Sequence, residues 1–158
     1  MHNKISGIQE IPRPESARNT GKTTKLKIHD LLAYLAKQMI EMKRKKNEEI
    51  KGFLKWFERE IGAEIVSLAN KTAIKEYHET DFNHLLEVLK KNRNKISINL
   101  SVRKTQELLE NQFAKSMSIL DPLKTKIKAT DELIDEIVYR LYGLTEEEIK
   151  IIKGIRST

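Results

Sequence analysis

From about Lys25 onward, apolar residues return every three or four positions. Ile28, Leu31, Leu32, Leu35, Met39 and Met42 form one such series. After the polar stretch "KRKKNEE" the series resumes, nearly in phase, at Ile50, Phe53, Leu54, Phe57 and Ile61. That spacing is one face of a helix, and Gly62 is a natural stop because glycine adopts the left-handed backbone that closes a helix. One long helix over about 27–61 is expected, roughly 50 Å at 1.5 Å per residue. The alternative is a hairpin bent at Lys46–Asn47. No Gly or Pro lies there, which favours continuity.

The remainder of the chain reads as shorter helices. Residues 63–79 carry at most one or two helical turns. Thr80–Asp81 opens a short helix with Phe82, Leu85, Leu86 and Leu89 inward, and 93–99 is a loop or brief extended segment. Ser101 reads as the N-cap of a helix with Val102, Leu108, Leu109, Phe113, Met117 and Leu120 roughly in phase. Asp121–Pro122 reads as a fresh helix start. Near the end, Ile134, Ile137, Val138, Leu141 and Tyr142 form a stripe closed by Gly143. Thr145 and Glu148 then make a capping box, with Leu144 and Ile149 as its hydrophobic staple. Residues 1–24 alternate weakly around Ile5, Ile8 and Ile11 and break at Pro12 and Pro14. This segment is an extended arm or linker, and 25–158 is a single helical domain.

The composition agrees with that picture. The chain is 39% hydrophobic but only 6% aromatic and 34% charged, with 6 Gly and 3 Pro. This favours long helices with one apolar stripe over a sandwich or barrel, making the fold class all-α. The absence of cysteine excludes disulfides and thiolate metal sites. The longest apolar run, "LLAYLA" at 31–36, falls far short of the roughly 20 residues that span a bilayer. No apolar targeting core precedes it. A cytoplasmic protein without membrane association is expected.

The net charge of +7 lies in the first two thirds, because 101–158 is balanced. A basic surface lowers the cost of approaching phosphates. The densest clusters are Lys43, Arg44, Lys45 and Lys46, and then Lys90, Lys91, Arg93 and Lys95. They are either solvated surface or contacts to phosphate groups. Neither is interleaved with aromatics, so a base-stacking platform is not expected.

No catalytic constellation stands out. "NTGKTT" at 19–24 is not a phosphate loop, because Ser16 occupies the place of its first glycine and no buried strand precedes it. His78, Asp81 and His84 have a spacing that could gather a metal, yet Asp81 is better used as a helix cap. Asp135 with Glu148 and Lys150 fits a metal-dependent nuclease only loosely, and Glu148 is committed to capping. No cofactor is expected.

The segment "DELIDEIVYRLYGLTEEEIKIIKG", Asp131 to Gly154, resembles the C-terminal signature of type IIG restriction–modification enzymes and related adenine-specific DNA methyltransferases. "KIHDLLAYLAKQMIEMKRKKNEEIKGFLKWFEREIGAEI" and "IKEYHETDFNHLLEVLKKN" resemble the helical stretch preceding that tail. "IQEIPRP" resembles the exit from a target-recognition domain. The catalytic motif Asn-Pro-Pro-Tyr and the glycine-rich S-adenosylmethionine loop are absent from this chain. The resemblance therefore implies a non-catalytic C-terminal helical module, partnered with the methyltransferase and target-recognition parts of such a system and with DNA through its phosphates. A helical interaction or dimerisation module using the 27–61 helix as a seam, without DNA contact, is the alternative.

Overall fold

The computed structural model describes residues 20–157, with side chains from 27 to 154. Those residues are all-α, without a strand among them. Five helices follow in order: α1 Thr20–Ile61, α2 Lys71–Lys75, α3 Phe82–Lys91, α4 Arg103–Leu141 and α5 Glu146–Ser157. Single 3₁₀ turns at Ile65–Ser67 and Tyr77–Glu79 flank α2.

The long first helix is present and runs unbroken through Lys46–Asn47. It opens at Thr20, so residues 20–24 are helix rather than linker. The rest of the arm expected over 1–24 lies outside the described residues. Gly62 closes α1 at φ +70°, where a side chain would be strained. Its amide donates to Glu58 O at 2.9 Å.

The described residues group into two compact units, one of 39–132 and the other of the two ends, 20–38 and 133–157. The 39–132 unit holds a single apolar core. It gathers Phe53, Phe57 and Ile61 of α1, Ile65 and Leu68, Ile74 of α2 and Tyr77. Phe82, Leu85, Leu86, Val88 and Leu89 of α3, Leu100, and Leu109, Phe113 and Leu120 of α4 complete it. Trp56 packs beside this core with its ring 5.8 Å from Phe53. Each such large side chain taken fully out of water contributes about 1.5–3 kcal/mol.

One polar contact threads the core. The Tyr77 ring stacks on Phe53 at 4.2 Å between centroids, and its hydroxyl bonds Ser116 Oγ at 2.7 Å. Burial pushes the phenol pKa up to about 12. The hydroxyl therefore stays neutral and fixes α4 against the 3₁₀ turn.

Three local expectations are corrected. Pro122 does not start a helix but lies inside α4. It removes the amide that Ser118 O would accept from. Ser118 and Pro122 are both exposed, so the loss faces solvent, while Phe113, Ser116 and Leu120 stay buried on the other side. Packing along that stripe overrides the local stop. Ser101 is not the N-cap of α4. Asn99 Oδ1 accepts from the Ser101 amide at 2.9 Å in an Asx turn. The helix opens two residues later, where Val102 O accepts from Gln106 N. Tyr142 leaves the apolar stripe because it falls past the last helical residue, and it is 75% exposed. Tyr139 is buried instead.

The unit made from the chain's two ends buries Leu35, Tyr139 and Ile149. Its corner follows the sequence closely. Gly143, at φ +67°, donates to Arg140 O, and Leu144 N donates to Tyr139 O, the paired bonds of a Schellman closure. Thr145 Oγ1 then accepts from Glu148 N at 3.1 Å. Glu148 Oε1 accepts from Thr145 N at 2.8 Å. The Thr145 backbone amide, with the Thr145 hydroxyl adding to it, holds the Glu148 carboxyl below its usual pKa.

Candidate phosphate-contact site

The two basic clusters are presented very differently. Lys43, Arg44, Lys45 and Lys46 occupy four successive positions of α1. Neighbours on a helix are about 100° apart, so the four cannot face one partner together. Arg44 is held by Glu41 and Glu48 on its own helix, and these two carboxylates raise its pKa further. Lys46 is half-buried, and its charge is among those felt by His78. Lys43 and Lys45 are exposed.

The second cluster is built around a chain reversal. Asp81 caps α3, its Oδ1 accepting from His84 N at 2.8 Å, and the helix ends with Lys90 and Lys91 in its last turn. Cations there are favoured by the helix dipole. Asn92 is the C-cap, only 2% exposed. Its Nδ2 donates to Val88 O at 2.9 Å and Ala69 O at 3.1 Å, and its Oδ1 accepts from Ala69 N at 2.8 Å.

The loop that follows is pinned at several points. Ser97 N donates to Ile61 O at 2.7 Å, placing Ser97 against Gly62. A Cβ on Gly62 would lie 2.2 Å from Ser97 Oγ, so this close approach needs glycine as much as the positive φ does. Leu100 is buried, and Gln106 Nε2 donates to its carbonyl at 2.6 Å. Lys95 Nζ reaches Ser67 O at 3.4 Å.

Between the end of α3, this loop and the start of α4 lies a cavity of about 580 Å³. Lys90, Arg93, Asn94, Ser97, Asn99, Ser101 and Gln106 line it, with Ile98 and Leu100 as its apolar part. No carboxylate is among them. Arg103 and Lys104 open α4 in a first turn without an acidic residue, a charge pattern opposite to the one the helix dipole favours. Arg103 is balanced by Glu107, with Nε to Oε2 at 2.8 Å.

Of the eight basic candidates, Lys90 and Arg93 are therefore brought to one concave site. Lys91 is exposed on the same helix end, Lys95 is tied to the neighbouring backbone, and Lys43–Lys46 lie on α1. The polar lining residues were missed by the sequence reading; Arg103 and Lys104 add charge at the start of α4 without lining the cavity. The signal for them is legible in retrospect. From Val88 to Gln106 there is no Asp or Glu, while Lys90, Lys91, Arg93, Lys95, Arg103 and Lys104 all fall within that segment.

A different polar cluster surrounds His78. Its side chain is 10% exposed, with Nδ1 3.1 Å from Glu79 Oε2. Lys124 Nζ donates to His78 O at 2.7 Å. Burial holds the imidazole pKa below its usual value, outweighing the pull of Glu79. Among the described residues no group of three or more His, Cys, Asp or Glu side chains is placed to hold a metal. None of the described helices is long and apolar enough to cross a membrane.

These features define an all-helical module carrying a basic, acid-free concavity. The chain belongs to the family described as "Domain of unknown function (DUF8810)", which matches residues 25–138. No curated protein and no solved structure matches it.

Proposed function

We propose that this chain is a non-catalytic helical module that contacts a nucleic-acid backbone through its phosphates. The observation that carries the reading is the acid-free segment 88–106, folded around the 580 Å³ cavity with Lys90 and Arg93 in its wall. Lys43 and Lys45 add exposed positive charge on α1. The resemblance of Asp131–Gly154 to the tail of type IIG restriction–modification enzymes supports DNA as the polyanion. It also supports methyltransferase and target-recognition parts as partners, which the helices would brace.

Duplex titration at several salt concentrations tests this. Each neutralised phosphate contributes about −0.9 to the slope of log K against log salt. Lys90→Ala/Arg93→Ala should flatten that slope by about 2 and weaken binding uniformly across sequences. Salt-independent binding, or a slope unchanged in the double variant, refutes the proposal.

A second reading has its own observation. Leu133, Tyr142 and Ile151 are exposed, at 47%, 75% and 63%, all in the unit made from the chain's ends. That favours an interaction or self-association module without DNA contact. Sedimentation across salt concentrations separates the two: self-association that ignores salt, with no duplex affinity, supports the second.

A further inference from the structure

We infer that the cavity at the α3–α4 junction is a discrete seat for one phosphate group, carried either by a nucleic-acid strand or by a free phosphomonoester. The inference rests on the phosphate-contact reading above and gives it a location. A concavity of about 580 Å³ falls in the range of small-ligand sites, typically about 300–1,000 Å³. It has room for a phosphate and part of an attached nucleoside. Among the described residues the Lys90 ammonium has no ion pair. Along the chain the nearest carboxylates are Glu87, one turn earlier on α3, and Glu107, which is taken by Arg103; neither lines the cavity.

Asn99 spends its Oδ1 on the Ser101 amide and keeps its Nδ2 as a donor, whereas Gln106 spends its Nε2 on Leu100 O and keeps its Oε1 as an acceptor. The charge of the lining decides between ligands: Lys90 and Arg93 are cationic and no carboxylate is present, which suits an oxyanion and not a cation. The frame is also set before any ligand arrives. Asn92 fixes the chain reversal by three hydrogen bonds, Ser97 N is bonded to Ile61 O, and Leu100 is buried. Arg93 and Asn94 thus stand on a braced loop, where Arg93 Nη1 also donates to Lys90 O at 3.4 Å, and little ordering cost attends binding. The Lys43–Lys46 segment is a convex helix whose Arg44 is already paired. Lys45 does line a concavity of about 450 Å³, but Glu48 and Glu49 share its wall, which disfavours an anion there.

Amide chemical-shift titrations of the full chain test the inference at constant ionic strength. The probes are inorganic phosphate, AMP and single-stranded tetrathymidylate. Saturable shifts should concentrate in residues 90–106. Saturation by phosphate and AMP identifies a free phosphomonoester as the source; saturation by tetrathymidylate alone identifies a strand. Ser101→Trp keeps every charge but fills the cavity, and should weaken the saturating probe at least tenfold. Lys43→Ala/Lys45→Ala should leave it within twofold. Should Ser101→Trp lose helical circular dichroism, Asn94→Trp serves as the plug.

The inference is overturned if no probe saturates this segment, or if the plugged variant binds as well as the unmodified chain. Duplex binding that is salt-dependent but indifferent to the plug would sink the seat and leave the proposed function standing. Saturable phosphate binding without duplex affinity would do the reverse.

Discussion

Replacing Asn92 should unfasten the basic loop. Its side chain is 2% exposed and joins three backbone groups: Val88 O, Ala69 O and Ala69 N. Val88 O belongs to the last turn of α3, where the Asn92 amide bonds Leu89 O instead. The side-chain amide therefore supplies what the helix end lacks. Asn92→Ala removes all three bonds and leaves their partners in a part-buried setting. At about 1 kcal/mol per neutral bond the loss is about 3 kcal/mol, a large share of the roughly 5–15 kcal/mol by which a domain is stable. Asn92→Asp keeps the acceptor for Ala69 N but turns a carboxylate oxygen toward two carbonyls, and should cost at least as much. Asn92→Leu, which keeps the branched shape at greater bulk, removes the hydrogen bonds without opening a cavity. Urea unfolding at neutral pH reads all three. If Asn92→Ala and Asn92→Leu both stay within about 1 kcal/mol of the unmodified chain, these bonds do not hold the reversal and the argument for a braced loop fails.

Gly62→Ala should destabilise by about 1–3 kcal/mol from backbone strain alone, with an added clash against Ser97. Ser97→Gly should recover the clash and not the strain, as read by thermal unfolding. Because burial favours neutral His78, its contribution to stability is complete above about pH 6.5 and is lost as pH falls through the depressed folded value. Lys124 and Lys46 reinforce that direction, while Glu79 and Glu76 oppose it. His78→Gln should accordingly lose less Tm than the unmodified chain between pH 7 and pH 5, and equal losses would refute the assignment. Thr145→Ala should cost about 1 kcal/mol through the lost cap, measurable as fraying of α5 by amide exchange.

Much of this protein is written locally. The 3.6-residue periodicity from Ile28 to Ile61 specifies a continuous helix. Asp81, Gly143, the Thr145–Glu148 box and Gly62 as a helix stop act through bonds within four residues of themselves, so sequence alone places them; the approach of Ser97 to Gly62 is not local. The basic residues of 90–95 are equally plain as charge. What the sequence did not determine is where competing local signals yield to packing. Asp121–Pro122 is a start signal by every local rule. It is nonetheless absorbed into α4, because the stripe through Phe113 and Leu120 continues past a proline whose missing bond faces solvent. Tyr139 and Tyr142 are alike in chemistry, and only the position of the helix end buries one and exposes the other. The candidate site belongs to this second kind. Arg93, Ser97 and Gln106 surround one cavity because Asn92 reaches back to Ala69 and Ser97 reaches Ile61, contacts spanning 23 and 36 residues. Charge can be counted along the chain, but a concavity exists only once distant backbone groups have bonded across it.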